Sequence, residues 1–194
     1  MKFSLSLPLL KDRSLPDPYR ETYDLAVIAE ECGFDTVTIG HHHFMPGNLA
    51  DPLTFLATVA ARTSTVRVGT GIFQLPIHNP VRVAEQVATI DELSGGRVTL
   101  GVGLGWWPLE YQVMGSDFAT RGARLEEALV IMKQVWTEES TAYDGRFWSF
   151  PELTVHPRPV QQPHPPLWVA GVADTAVDRA ARLGDAWICG PVQS

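Results

Sequence analysis

Lys2 to Leu7 alternates: Phe3, Leu5 and Leu7 stand against Lys2, Ser4 and Ser6. A period of two predicts a strand. Strand signals recur in five further stretches. Thr36–His42 sets Val37 and Ile39 against Thr36, Thr38, Gly40 and His42, and Thr65–Phe73 carries Val66 and Val68 on one face. Arg97–Gly103 carries Val98, Leu100 and Val102, and the short runs Leu167–Gly171 and Asp185–Cys189 complete six strands. Between them the pattern turns helical. Asp17-Pro18, Asp51-Pro52 and Asn79-Pro80 each pair an N-cap residue with proline at the first helical position. They open helices running to Gly33, through Arg62 and through Leu93. Thr120 caps a long helix through about Glu139, and Asp174 caps one through Leu183.

Strict alternation of strand and helix predicts βαβ units and a parallel sheet. The first four strands are apolar on one face and small or polar on the other: Ser4 and Ser6, Thr36 and Thr38, Gly69 and Gly71, then Thr99, Gly101 and Gly103. A doubly wound sheet would be apolar on both faces. A barrel packs one face on helices and leaves the lumen free to differ, so the expected fold is an α/β (β/α)8 TIM-type barrel. Such a barrel needs eight strands in about 250 residues. Six strands in residues 1–194 imply one barrel domain lacking its C-terminal repeats. Tyr143–Pro166, with Asp144-Gly145 and many prolines, breaks the rhythm as a surface excursion with a small hairpin. Trp106–Tyr111 reads as an aromatic loop.

Composition narrows the class. A chain of 194 residues that is 45% hydrophobic and 19% charged has the makings of a globular core. A net charge of −7 without a basic block argues against nucleic acid. No apolar run reaches membrane length, and Met1–Leu10 lacks a signal-peptide layout. Cys32 and Cys189 form no framework, which points to a cytoplasmic protein with reduced thiols.

Barrel active sites lie at the C-terminal ends of the strands. Gly69, Gly71, Gly101 and Gly103 leave that mouth bare, either as a slot for something flat or as tight barrel bends. By parity His42 points into the lumen, as a general base or hydrogen-bond partner or as a packed histidine; His41 and His43 point outward. Neighbours on opposite faces cannot share an ion, and no Cys or carboxylate stands at ligand spacing, so no metal is expected. Gly101–Gly105 lacks the third glycine and the immediate helix of a dinucleotide loop. Gly171-Val172-Ala173-Asp174 joins a strand to a helix start, as a phosphate cradle or a plain cap. Arg121 reaches a phosphate or pairs with Glu126 or Glu127. Trp106 and Trp107 stack on a planar ligand or close a hydrophobic lid.

Four blocks together resemble the bacterial luciferase-like monooxygenases: GHHHF at 40–44, GTGIFQLPIHNPVRVAEQVATIDELSGGRVTLGVGLGW at 69–106, RGARLEEAL at 121–129, and PHPPLWVAG with AARLGD at 163–185. The resemblance implies a flavin-dependent barrel that takes reduced FMN from a partner reductase and uses dioxygen on a small organic substrate. It implies His42 as the catalytic residue near the flavin, with Thr70 and Gly71 facing the ring. Gly103, Leu104 and Trp106 would lie along the ring and ribityl chain, and Arg121, Gly171, Val172 and Ala173 around the phosphate. A homodimer is expected. The sequence departs from the luciferase pattern at His41, which replaces an acid, at Leu104, which replaces an arginine, and at Ala173, which replaces a serine. These departures leave room for the branch that transfers hydride with coenzyme F-420, and for a non-catalytic flavin-binding relative.

Overall fold

The computed structural model describes residues 1–8 and 17–190. Among these residues, β1 (Ser4–Ser6), β2 (Thr36–Ile39), β3 (Arg67–Thr70), β4 (Val98–Val102), β7 (Leu167–Ala170) and β8 (Ala186–Ile188) form one six-stranded sheet in that order, with every neighbouring pair parallel. Between β4 and β7, β5 (Thr141–Asp144) and β6 (Ser149–Leu153) form the separate antiparallel hairpin expected in the excursion. A doubly wound sheet would reverse its strand order at a switch point. Here the spatial order follows the chain order throughout.

The helices follow the same sense. α1 (Pro18–Glu31) packs on α2 (Pro52–Arg62), α2 on α3 (Pro80–Ser94), α3 on α5 (Arg121–Thr137), and α5 on α6 (Asp174–Leu183). The result is one helical layer around a curled sheet, the TIM-barrel arrangement. Asp17 Oδ1 accepts from Arg20 N–H, Asp51 Oδ1 from Thr54 N–H and Asn79 Oδ1 from Val81 and Arg82 N–H, so the three expected caps form as bonds. Val37, Ile39, Val68, Val98, Leu100, Val102, Leu167 and Val169 pack against Leu56, Val59, Val87, Leu129 and Met132 in one core. Each such buried aliphatic chain contributes about 1.5–3 kcal/mol relative to exposure.

Three expectations are corrected. β2 stops at Ile39, because the next backbone groups leave the ladder: His42 N–H donates to Leu49 O, and His43 N–H to the Glu110 carboxylate. The aromatic loop contains a helix, α4 (Pro108–Val113), with proline at its first position and Glu110 in its first turn. The cap of α6 is Ala173, not Asp174, which is the first helical residue; no side chain caps this helix.

At the N-terminal ends of the strands a polar floor replaces the small residues of the mouth. Arg67 donates to Thr99 Oγ1, Val98 O and Gln161 Oε1, and Gln161 donates in turn to the buried Asp91. Arg97 makes side-chain bonds to Ser94 O, Thr63 Oγ1, Val66 O, Ala60 O and Thr63 O. Gly69 and Gly101 are required by close strand approach. A Cβ on Gly69 would sit 2.7 Å from Thr99 O, and one on Gly101 would collide with Thr70 O.

Glu30, in the last turn of α1, holds the turn into β3. Its Oε1 accepts from Ser64, Thr65 and Val66 N–H and from the Thr65 hydroxyl. Burial pushes its pKa up, but these four bonds outweigh burial and hold it at about 2, against 4.5 ordinarily. A depressed folded-state pKa gives stability that is complete above the unfolded value and lost as pH falls through the folded one. Glu30→Gln is therefore expected to lower the melting temperature at pH 7 by a few degrees, on the order of 1 kcal/mol. The gap to the parent should narrow below pH 4.5 and close near pH 2, as read by thermal unfolding in circular dichroism.

Candidate active site at the mouth of the sheet

His42 lies just past the end of β2, and its partners come from two other strand ends. Nδ1 stands 3.2 Å from Glu110 Oε1 and 3.0 Å from Gln74 Nε2. Glu110 comes from α4, after β4; Gln74 follows β3. Nδ1 therefore has a partner in either tautomer: protonated it donates to the carboxylate, and bare it accepts from the amide. Among the described residues Nε2 has no hydrogen-bond partner. The side chain is 20% exposed, and the Trp106 ring lies edge-on at 5.7 Å.

Glu110 is fully buried, at 0% exposure. Oε1 accepts from His43 N–H at 2.8 Å and from Gln74 Nε2 at 3.2 Å, and Gln74 Nε2 also donates to His41 O at 3.2 Å. Oε2 has no partner among the described residues, nor has Gln74 Oε1. A buried carboxylate with one free oxygen is costly unless a cation or a donor answers it. Among the described residues, the His42 imidazole is the side chain within salt-bridge reach of it. The sequence alone gives neither Gln74 nor Glu110 a role beside His42. The Trp107-Pro108-Leu109-Glu110 stretch does carry the proline-start signal used elsewhere in the chain, with an acid in the first turn.

The other sequence-predicted residues fall into two groups. Gly71, Gly103, Leu104 and Trp106 gather at the ends of β3 and β4, at the same mouth as His42. A Cβ on Gly103 would press on Ile72 at 3.1 Å, and one on Gly71 on the Thr38 hydroxyl at 3.1 Å. Trp106 is 61% exposed, and the Leu104 carbonyl accepts from the buried Tyr111 hydroxyl. Burial pushes that phenol's pKa well up, so it stays a donor. Thr70 also ends β3, but it is fully buried and its hydroxyl donates to Gly101 O at 2.7 Å.

The second group surrounds the starts of α5 and α6. Arg121 pairs with neither Glu126 nor Glu127. Its guanidinium lies 3.9 Å over the Phe118 ring and donates to Phe118 O. Glu126 instead takes Arg179 and Arg182, and Glu127 accepts from Phe147 and Trp148 N–H. Gly171 has φ +146°, and a Cβ there would meet Ala176 at 2.5 Å. Val172 and Ala173 are exposed ahead of the uncapped α6. Among the described residues no hydrogen bond joins Arg121 to 171–173. The buried Arg179, with Nη1 unpartnered, lies beside Gly122 at the start of α5.

A singly wound parallel sheet with a histidine–carboxylate pair and bare glycines at its C-terminal mouth defines a (β/α)-barrel protein with its site at the strand ends. The chain belongs to the luciferase-like monooxygenase family, whose model matches residues 1–194. It is 35% identical over 176 residues to the flavin-dependent trigonelline monooxygenase, oxygenase component, of Acinetobacter baylyi, covering 88% of this chain and 49% of that protein. It is 38% identical over 175 residues to an F420-dependent glucose-6-phosphate dehydrogenase of Kineococcus radiotolerans, covering 86% and 51%. Among solved structures, monooxygenase RslO1 from Streptomyces bottropensis superposes with a TM-score of 0.87 at 32% identity, over 94% of this chain and 57% of that one. The chain thus spans about half the length of the curated relatives it matches. Among the described residues, no helix is long and apolar enough to cross a membrane.

Proposed function

We propose that this chain carries the cofactor-side half of a flavin-dependent monooxygenase that uses reduced FMN and dioxygen on a small organic molecule. The observation that carries the reading is His42, held at Nδ1 by the buried Glu110 with Nε2 free at the mouth. The flavin-dependent relative, named as an oxygenase component, supports a separate reductase as the source of reduced cofactor. The residues at the mouth fit a flat ring. Gly71 and Gly103 offer only backbone at adjacent strand ends, Ile72, Leu104 and Trp106 supply apolar surface, and side chains at the two glycines would press on Thr38 and Ile72. The phosphate would lie at the uncapped start of α6 beside Gly171, Val172 and Ala173, where free N–H groups and the helix dipole favour an anion. Arg121 and Arg179 are the cations closest in sequence position to the two helix starts.

Reduced FMN would supply the electrons that activate oxygen; the protein's part is proton handling and exclusion of water. Glu110 fixes the His42 ring and balances an imidazolium. Gln74 donates to Nδ1 when that nitrogen is bare and Glu110 accepts from it when protonated, so the ring keeps its orientation in either tautomer. Trp106 covers one side of the imidazole. The same pair favours a second reading. A histidine backed by a carboxylate can accept the hydroxyl proton of an alcohol while hydride passes to coenzyme F-420, and the 38% identity to an F420-dependent dehydrogenase supports it. A non-catalytic flavin-binding role is the third outcome.

The test is a fluorescence titration of the complete gene product with FMN and with F-420, followed by oxygen consumption with reduced FMN. FMN binding, with oxygen uptake beyond free-flavin autoxidation that rises with an added organic substrate, is expected. Binding of F-420 alone selects hydride transfer. FMN binding without turnover on any donor selects the non-catalytic role.

A further inference from the structure

The three consecutive histidines do not act as a strand. Past Ile39 the backbone turns, and His41 and His43, which parity would set together on the outer face as packing, meet at 3.0 Å between their Nε2 atoms. His78, which follows the short 3-10 turn Leu75–Ile77, brings a third imidazole from 35 residues further along the chain. One ring nitrogen from each of His41, His43 and His78 lies within 4.8 Å of the others. We propose that His41, His43 and His78 form a three-imidazole site for a divalent transition-metal ion of the zinc class.

Four features support the site. Zinc–nitrogen bonds of about 2.0–2.1 Å set tetrahedral ligands roughly 3.4 Å apart, so closure takes side-chain shifts on the order of 1 Å. His78 Nε2 is buried and has no hydrogen-bond partner among the described residues, a lone pair or N–H that a ligand would satisfy. Imidazoles ligate in the neutral form, and burial favours that form for all three rings. A cavity of about 250 Å³ opens beside His43 and His78, lined also by Asp51 and Phe73, with room for a water as fourth ligand. The Asp51 carboxylate lies close enough to oppose the fall in both pKa values, so its field favours a cation there.

Without metal, His41 Nδ1 accepts from Gln74 N–H at 3.2 Å, which leaves its hydrogen on Nε2 to donate to His43. Metal binding replaces that hydrogen bond. The His41 hydrogen moves to Nδ1 and the contact with Gln74 N–H is given up, so His41 is the ligand that must rearrange most. Phe73, stacked on both His41 and His78, keeps the two rings aligned. None of this depends on which cofactor serves the mouth.

The test uses the complete, tag-free protein titrated with Co²⁺ as the visible probe and with Zn²⁺ by calorimetry. One equivalent is expected to bind, with d–d bands of tetrahedral intensity that Zn²⁺ displaces. His78→Ala and His43→Ala should each weaken binding at least about tenfold. His156→Ala, at an exposed histidine outside the cluster, should stay within about twofold. The half-buried His43 gives a variant that tests the site even where loss of His78 disturbs packing. Absence of a d–d band in the parent protein, or unchanged affinity in both cluster variants, overturns the site.

Discussion

Glu110→Gln is expected to lower the turnover of the complete protein by on the order of 10²-fold, the scale of a disabled acid–base group. The substitution is nearly isosteric. The retained oxygen can still accept from His43 N–H, and the new amide takes the place of an oxygen that has no partner. What is lost is the charge that faces His42 Nδ1 at 3.2 Å. The loss should appear in kcat, with cofactor affinity unchanged, because Glu110 is buried behind His42. Stability should change by no more than about 1–2 kcal/mol, since a His42 without its carboxylate can stay neutral and strands no buried charge. Added to His42→Ala, the change should cost little more, as expected of two groups that act as one. Steady-state oxygen or coenzyme kinetics on the four proteins would check it. A kcat within about twofold of the parent would show that the pair is structural only.

Arg97→Leu is expected to destabilise the fold by about 3–5 kcal/mol without touching the mouth. Its five side-chain bonds tie the end of α2, the start of β3 and the end of α3 to one guanidinium. Removing it leaves carbonyls of Ala60, Thr63, Val66 and Ser94 without that donor, and leucine offers nothing in exchange. For a chain of this size the melting temperature should fall by roughly 10 °C. Cofactor affinity below the transition should be unaltered. Thermal unfolding in circular dichroism, with cofactor titration at low temperature, separates the two effects.

The repeat was legible because its punctuation is local. Acid or amide followed by proline opens three helices, glycine closes two of them, and bare strand faces distinguish a barrel from an open sheet. His42 was legible from its motif. Glu110 and Gln74 were not, because their contacts with His42 span 68 and 32 residues and no short spacing encodes them. α4 could have been found from Pro108 at its first position, but the aromatic residues around it suggested a loop. Parity sets His41 and His43 on one side, but alternation says nothing of the turn past Ile39 that brings their rings to 3.0 Å. His78 had no signal at all: it reaches the other histidines only through the fold.

The polar floor has a kinetic meaning. Arg67, Arg97, Gln161 and Asp91 tie the lower ends of β3 and β4 together with side-chain hydrogen bonds. A barrel completed on such a base would be entered from its mouth alone, and a ligand seated deepest there would have to arrive first and leave last.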